Sequence, residues 1–371
     1  MTETREGTLV HESAMNRRHF IRQVSAMGTF LVGTSVPLQA TQRHRKLGLS
    51  IASYRRSDRF YSDEFPAWKN ALDVLDHCQS LGAGCLQIGV RGWTRDFVGK
   101  VREKRESLGV ALEGQIGLPR SEDQLAAFEA SVKRAKEAGA SVLRAVCLGG
   151  RRYETFKSMA SWQAFQKDSL EALERAEPVM RRHRVRLAVE NHKDWRTDEQ
   201  LNWLEHLSSE YVGVCFDFGN NLSLLEDPHQ QLDSLAPYVM TTHLKDMGLA
   251  PYESGFLLSE VPLGQGILNL NALCDRCLQS SPHLQFNLEM ITRDPLKVPV
   301  LEPDFWITME ELPARDLAWV WKQVQQKGQN AAAALPSVSQ KTDPERLAYE
   351  EANVRACFQY ARQSMGFDEA G

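Results

Sequence analysis

The chain has 371 residues, of which 42% are hydrophobic and 25% are charged, and its formal net charge is −4. This length and composition are typical of a globular protein with one large domain or two modest ones, whose core needs no disulfides. The charge excludes nucleic acid as the main partner, because phosphate binding requires a basic surface.

The N-terminal segment has the pattern of an export signal. Arg17-Arg18 precede a mildly apolar run, and Leu38-Gln39-Ala40 offers a small residue for cleavage. The pattern predicts a twin-arginine signal in residues 1–40, and therefore an exported, periplasmic protein. The apolar run is too short and too interrupted for a stable membrane span. An ordinary basic tail is the alternative interpretation.

Eight short and nearly continuous apolar runs follow, which predict strands buried on both faces. They cover residues 47–54, 85–90, 110–118, 141–150, 185–192, 212–220, 239–247 and 284–291.

Between these runs the apolar residues follow a helical spacing. Helices are predicted over residues 65–81, over residues 121–139 with Ser121 as the N-terminal cap, and over residues 161–182. Eight strand–helix alternations predict an α/β fold, most simply a (β/α)8 TIM barrel over residues 45–328. An open doubly wound sheet is the alternative, but no G-x-G-x-x-G follows the first strand.

The C-terminal part is predicted to add one helix to the barrel. Residues 329–345 have the composition of a linker, and residues 346–371 follow it with an amphipathic pattern over residues 346–365. Such an extra helix would cover either the barrel or a partner subunit in a homo-oligomer.

The seven cysteines are predicted to be buried small apolar side chains. Cys274 and Cys277 form a C-x-x-C pair, but no second pair completes a zinc site. The others are Cys78, Cys85, Cys147, Cys215 and Cys357.

Four consecutive predicted strands end in a carboxylate or an imidazole. These residues are Glu190, Asp217, His243 and Glu289. The carboxyl ends of barrel strands meet on one face, and three carboxylates without a cation would repel one another. Three oxygen ligands and one imidazole suit one divalent metal ion, Mn²⁺, Mg²⁺ or Co²⁺. Each residue alone is weak evidence, because a lone acid at a strand end is usually a helix cap or a solvated residue.

Five motifs occur in order along the chain: E-N-H at 190–192, D-F-G-N at 217–220, H-L-K-D at 243–246, P-L-G-Q-G at 262–266 and L-E-M at 288–290. With them, residues 45–325 resemble the xylose-isomerase-like TIM-barrel family of sugar isomerases and epimerases. The resemblance implies that the four strand-end residues bind one divalent metal. One departure is Asn220, since ketose 3-epimerases of the family usually have histidine there, and asparagine cannot do the same acid–base work.

Further residues near the strand ends are predicted to bind the substrate. They are His192, Lys193, Asn220, Lys245 and Arg293. For two of them a structural alternative is open: Lys193 as a solvated charge at the rim, and Lys245 in a network with Asp246 and a glutamate.

The loops beyond the strand ends are predicted to complete the site. Trp93 and Trp195 would either stack on a sugar ring or pack within their loops. Gly264 and Gly266 would shape a turn after the seventh strand, because glycine permits tight backbone. Residues 291–299, with Asp294, would form an extended loop at the rim.

The predicted function is that of a metal-dependent epimerase or isomerase acting on a small sugar or keto-sugar. Glu190 and Glu289 would remove and return a proton beside a carbonyl through an enediolate, while the metal polarises the carbonyl. The alternatives are a lyase or dehydratase on a 3-keto-sugar or keto-glycoside, a phosphodiesterase, and a non-catalytic sugar-binding protein. The small number of ligands and the acidic charge argue against the phosphodiesterase.

Overall fold

The computed structural model describes residues 45–309, 311–328 and 335–368. The predicted export signal in residues 1–40 lies outside the described residues, as do residues 329–334 of the predicted linker. Among the described helices, none combines the length and the apolar character needed to cross a membrane.

Eleven strands are present in the described residues. They are β1 (Gly48–Ser50), β2 (Cys85–Gly89), β3 (Ala111–Gln115), β4 (Val142–Ala145), β5 (Arg186–Glu190), β6 (Val212–Asp217), β7 (Val239–Leu244), β8 (Asp246–Tyr252), β9 (Gly255–Val261), β10 (Phe286–Leu288) and β11 (Leu296–Val298).

Eight of these strands close a parallel barrel in the order β1-β10-β7-β6-β5-β4-β3-β2. Each of the eight predicted apolar runs contains one of them, so the predicted (β/α)8 barrel is confirmed. The strands are shorter than the runs, because the chain leaves the sheet before the apolar sequence ends. After β1, for example, Ile51–Ser53 form a 3-10 turn.

The α-helices in the described residues are α1 (Ala71–Leu81), α2 (Arg95–Ser107), α3 (Leu125–Glu137), α4 (Arg152–Thr155), α5 (Met159–His183), α6 (Thr197–Leu207), α7 (Pro228–Leu235), α8 (Leu270–Ser280), α9 (Pro303–Trp306), α10 (Ala314–Lys327) and α11 (Asp343–Met365).

Two helix starts differ from the predictions. Helix α1 begins at Ala71 and not at residue 65, because the Asn70 side chain accepts from the Leu72 amide and Asp73 accepts from the Asn70 amide. Ser121 makes no side-chain cap, since a 3-10 turn follows it and α3 begins only at Leu125.

The predicted C-terminal helix is present as α11 and packs into the barrel. Its Val354 and Phe358 belong to the main hydrophobic core. Arg362 donates to the carbonyl of Leu81 at the end of α1, and Asn271 of α8 donates to the carbonyl of Ser364. The helix therefore occupies the ring position between α8 and α1 and follows β10 as its barrel helix.

A second region is formed by the chain segment between β7 and β10 and by the segment that follows β10. Strands β8, β9 and β11 form an antiparallel sheet, and with α9 and α10 we call this region the accessory layer. It has its own hydrophobic core, which includes Phe256, Leu258, Phe305 and Val320. The prediction of an extended loop over residues 291–299 was wrong in part, because β11 pairs there with β9.

All seven cysteines are buried, as predicted.

Candidate metal centre

The four strand-end residues converge at the carboxyl end of the barrel. Glu190 ends β5, Asp217 ends β6, His243 lies near the end of β7, and Glu289 follows β10. One ligand atom from each lies within 4.8 Å of all the others, and all four side chains are buried. The adjacency of β5, β6, β7 and β10 in the barrel produces this convergence.

The imidazole of His243 fits a metal ligand. Its Nδ1 is buried without a hydrogen-bond partner, yet it lies 3.3 Å from Glu190 Oε2 and 3.2 Å from Glu289 Oε1. A buried polar atom without a partner is costly. A divalent cation would bind to this set of one imidazole nitrogen and three carboxylates, and would give Nδ1 its missing partner.

A polar network on the barrel floor orients His243. Its Nε2 lies 2.8 Å from Gln87 Oε1, and Gln87 donates through Nε2 to Glu113. Because an amide oxygen only accepts, Nε2 of His243 carries a proton, and Nδ1 is the ring nitrogen that faces the carboxylates. Thr241 and Asn287 also donate to Glu113 and hold it in place.

Asp217 is held by the backbone that follows it. Its Oδ1 accepts from the amides of Gly219 and Asn220 at 2.9 Å and 2.8 Å. Asn191 accepts from the Asp217 amide and donates to the Asp217 carbonyl, which fixes the strand end. The D-F-G-N motif thereby directs Oδ2 of Asp217 towards the cluster.

Glu190 is paired with Arg144, a residue that the sequence analysis missed. Arg144 Nε donates to Glu190 Oε2 at 2.5 Å, and Asn220 donates to Oε1 at 2.9 Å. Burial raises the pKa of Glu190, but Arg144 and His243 outweigh it, so this pKa lies well below its ordinary value. An arginine within the apolar run of β4 was the signal in the sequence.

Lys245 lies inside the cluster. Its Nζ is 2.7 Å from Asp217 Oδ2 and also pairs with Glu289. The alternative of a structural network is right for the pairing of Lys245 with a glutamate and wrong for Asp246, whose carboxylate accepts from the amides of Gly264 and Gly266. That turn was predicted, although the β8–β9 hairpin separates it from β7.

Lys193 and Asn220 form a pair beside the cluster. The Lys193 ammonium donates to Asn220 Oδ1, and the residue is only 4% exposed. The alternative of a solvated rim charge is therefore wrong. Burial, followed by the charge of Lys245, lowers the pKa of Lys193 to about 8.

The remaining predicted substrate residues have structural partners. His192 Nδ1 lies 2.8 Å from the Leu148 carbonyl, and burial lowers the pKa of this histidine to about 4. Arg293 makes two hydrogen bonds to Glu260 of β9, a buried carboxylate that the sequence analysis also missed. Arg293 thus joins the end of β10 to the accessory layer.

The aromatic and acidic loop residues pack within the fold. Trp195 is buried against Trp162 and Phe165, which supports the packing interpretation over sugar stacking. Trp93 packs edge-on against Phe97. Asp294 was predicted at the rim, but its carboxylate accepts from Ser337, Val338 and Ser339 and so anchors the segment before α11.

Comparison with known proteins agrees with this architecture. The family model described as a xylose isomerase-like TIM barrel matches residues 107–308, which is more than half of the chain. All four clustered residues lie within the match.

A curated relative and two solved structures are similar to the chain. The 3-oxo-isoapionate decarboxylase of Pectobacterium atrosepticum is 28% identical over 207 residues, which cover 54% of this chain and 70% of the relative. A xylose isomerase-like TIM barrel protein from Mycobacterium smegmatis in complex with magnesium is 16% identical, with a TM-score of 0.53 over 72% of this chain and 98% of that one. A D-psicose 3-epimerase is 12% identical, with a TM-score of 0.56 over 86% of this chain and 99% of that one. At such identities the structures show a shared fold.

Proposed function

The chain belongs to the xylose isomerase-like TIM barrel family, and from this premise we propose that it is a divalent-metal-dependent epimerase or isomerase of a keto-sugar. The observation that carries the proposal is the buried cluster of three carboxylates around Nδ1 of His243. Glu190, Asp217, His243 and Glu289 would hold one Mn²⁺, Mg²⁺ or Co²⁺ ion. When bound, the ion would polarise the substrate carbonyl and acidify the neighbouring C–H bond.

The two glutamates would transfer the proton. They lie at the ends of the outer strands of the run β5-β6-β7-β10, so they approach the centre from two sides. One would remove the proton from the carbon beside the carbonyl, and the other would return it from the opposite face, which inverts that carbon. Return to the adjacent carbon would instead interconvert a ketose and an aldose.

Neighbouring residues would hold the two carboxylates in position for proton transfer. Arg144 and Asn220 hold Glu190, and Lys245 holds Glu289. Lys245 is buried, and its positive charge would also stabilise the developing enediolate oxygen. These contacts fix the two carboxylates before a substrate arrives.

A second candidate reaction is decarboxylation of a 3-keto-sugar acid, a lyase reaction. The observation that favours it is the 28% identity to a 3-oxo-isoapionate decarboxylase. The bond between the carboxylate and its carbon would break, its electron pair would move to the ketone oxygen, and carbon dioxide would leave. A proton from solvent, relayed by Glu190 or Glu289, would then add to the same carbon. Both reactions share the enediolate, so the same site serves either.

The substrate we propose is a small, unphosphorylated keto-sugar. This follows from the predicted export of the protein, since sugar phosphates are chiefly cytoplasmic.

Solvent exchange tests the proposal. The metal-loaded protein is incubated in D₂O with a panel of ketoses, keto-glycosides and keto-sugar acids, and products are analysed by NMR and by carbon dioxide release. We expect deuterium at one carbon of one substrate. Glu190→Gln and Glu289→Gln should each reduce the rate by at least about 100-fold, as expected for loss of a proton-transfer group.

The control is Glu103→Gln, which changes an exposed glutamate of α2 in the same way. It should exchange at the wild-type rate. If the wild-type protein binds no metal, or incorporates no deuterium into any sugar of the panel, the proposal is refuted.

A further inference from the structure

Lys193 is a buried cation without a carboxylate partner among the described residues. Its ammonium donates to the amide oxygen of Asn220, which carries no charge, and only 4% of the residue is exposed. Burying an ammonium without a counter-ion is costly. An ammonium also has three donors, and the Asn220 contact uses one of them. Two donors are therefore available to a ligand.

The backbone of Lys193 supports the same interpretation. Its φ angle is +63°, in the left-handed region that residues other than glycine seldom adopt. Such strain persists where the surrounding structure holds it, and it is concentrated at functional sites. The residue in this conformation carries a long charged side chain, which the fold keeps buried directly after β5.

The Lys193 ammonium lies beside the proposed reaction centre. Asn220 accepts from Lys193 and donates to Glu190 Oε1, so a single side chain connects the ammonium to the cluster. The charges of Lys245 and Glu260 are also close enough to affect its pKa.

The other cations around the cluster already have carboxylate partners. The pairs are Arg144 with Glu190, Lys245 with Asp217 and Glu289, and Arg293 with Glu260. Three cations here face four carboxylates, so one negative charge remains before a divalent ion binds, and the ion would turn this into a net positive charge. Lys193 adds one more positive charge. An anionic ligand would offset the positive charges of both the ion and Lys193.

We infer that the substrate is a keto-sugar acid whose carboxylate pairs with the Lys193 ammonium. The inference rests on the proposed function and holds for either reaction. A carboxylate suits the position because it brings a single charge and two acceptor oxygens to an ammonium with two available donors. A phosphate brings about two charges and three acceptors, which one lysine does not satisfy.

Two matched pairs of sugars test the inference. 2-Keto-D-gluconate differs from D-fructose, and 5-keto-D-gluconate from L-sorbose, only in having a carboxylate in place of a terminal hydroxymethyl group. Binding to the metal-loaded protein is measured by calorimetry. We expect the acid of at least one pair to bind at least about tenfold more tightly, as for a charge-assisted hydrogen bond.

Variants of Lys193 test whether this residue causes the preference for the acid. Lys193→Met removes the charge and should abolish the preference, whereas Lys193→Arg keeps the charge and should retain most of it. Lys167→Met, at an exposed lysine of α5, is the matched control and should behave as the wild type. Metal affinity, measured separately, should not fall in any of the three variants.

The outcomes distinguish this inference from the proposed function. Equal binding of acid and neutral sugar in both pairs, or a preference that survives Lys193→Met, would overturn the inference alone if the metal binds and solvent exchange occurs. Failure of metal binding or of exchange would instead refute the proposed function.

Discussion

The barrel and the accessory layer contribute different parts of the site. The barrel supplies the four clustered residues and the Gln87–Glu113 floor beneath them, all on parallel strands or directly after them. The accessory layer supplies Glu260, which Arg293 binds from the end of β10. Each region has a hydrophobic core of its own. The difference indicates that the barrel would hold the proposed metal ion, while the layer contributes charge beside it.

The largest expected effect on stability comes from removing one large apolar side chain from each of the two cores in turn. Phe256→Ala in the accessory layer and Phe286→Ala in the barrel each empty a fully buried site, and each should lower the free energy of unfolding of its own region by about 3–5 kcal/mol. Because the cores are distinct, Phe256→Ala should weaken amide protection in residues 246–261 and leave metal affinity within a few fold. Hydrogen exchange with mass spectrometry, together with metal titration, measures both quantities.

Phe286→Ala is the counterpart in this comparison. It should reduce protection across the barrel strands and weaken metal binding as well. Equal loss of protection in both regions for both variants would show that the two cores unfold as one unit.

The barrel was predictable because each of its strands carries its own signal. An apolar run such as VGVCFD in β6 is buried on both faces whatever its neighbours are, and its final Asp217 then lies at the strand end. The same local argument located Glu190, His243 and Glu289 before their contacts were known.

The accessory layer was not predictable in this way. Strand β11 has three residues, and its pairing with β9 depends on a partner some forty residues earlier in the chain. The hairpin β8–β9 follows β7 after one residue, so the sequence has no break that separates the end of β7 from the start of β8. Arg144 was missed for a related reason: its partner Glu190 becomes visible only when β4 pairs with β5.

A smaller effect tests the floor of the barrel. Gln87→Leu removes the acceptor for His243 Nε2–H and the donor to Glu113 while keeping a similar volume. Metal affinity should fall about 10- to 100-fold, as is usual when a residue that orients a metal ligand is lost. Titration with Mn²⁺ followed by electron paramagnetic resonance measures it. Gln79→Leu, at an exposed glutamine of α1, should have no effect. Unchanged affinity in Gln87→Leu would show that His243 needs no orienting partner.

The smallest effect concerns stability at the boundary between the two regions. Burial and the charge of Lys245 lower the pKa of Lys193 from 10.5 to about 8, so between these values the unfolded chain binds a proton that the folded chain does not. The free energy of unfolding therefore rises with pH across that window, and the full destabilisation by the buried Lys193 charge is present below pH 8.

In the metal-free protein, Lys193→Met should raise the free energy of unfolding at pH 7 by on the order of 1 kcal/mol, because it removes a buried charge without a counter-ion. The gain should shrink towards pH 10, as measured by urea unfolding at both pH values. A gain that does not vary with pH would mean that the ammonium is better solvated than its burial indicates, and the case for a carboxylate partner would weaken with it.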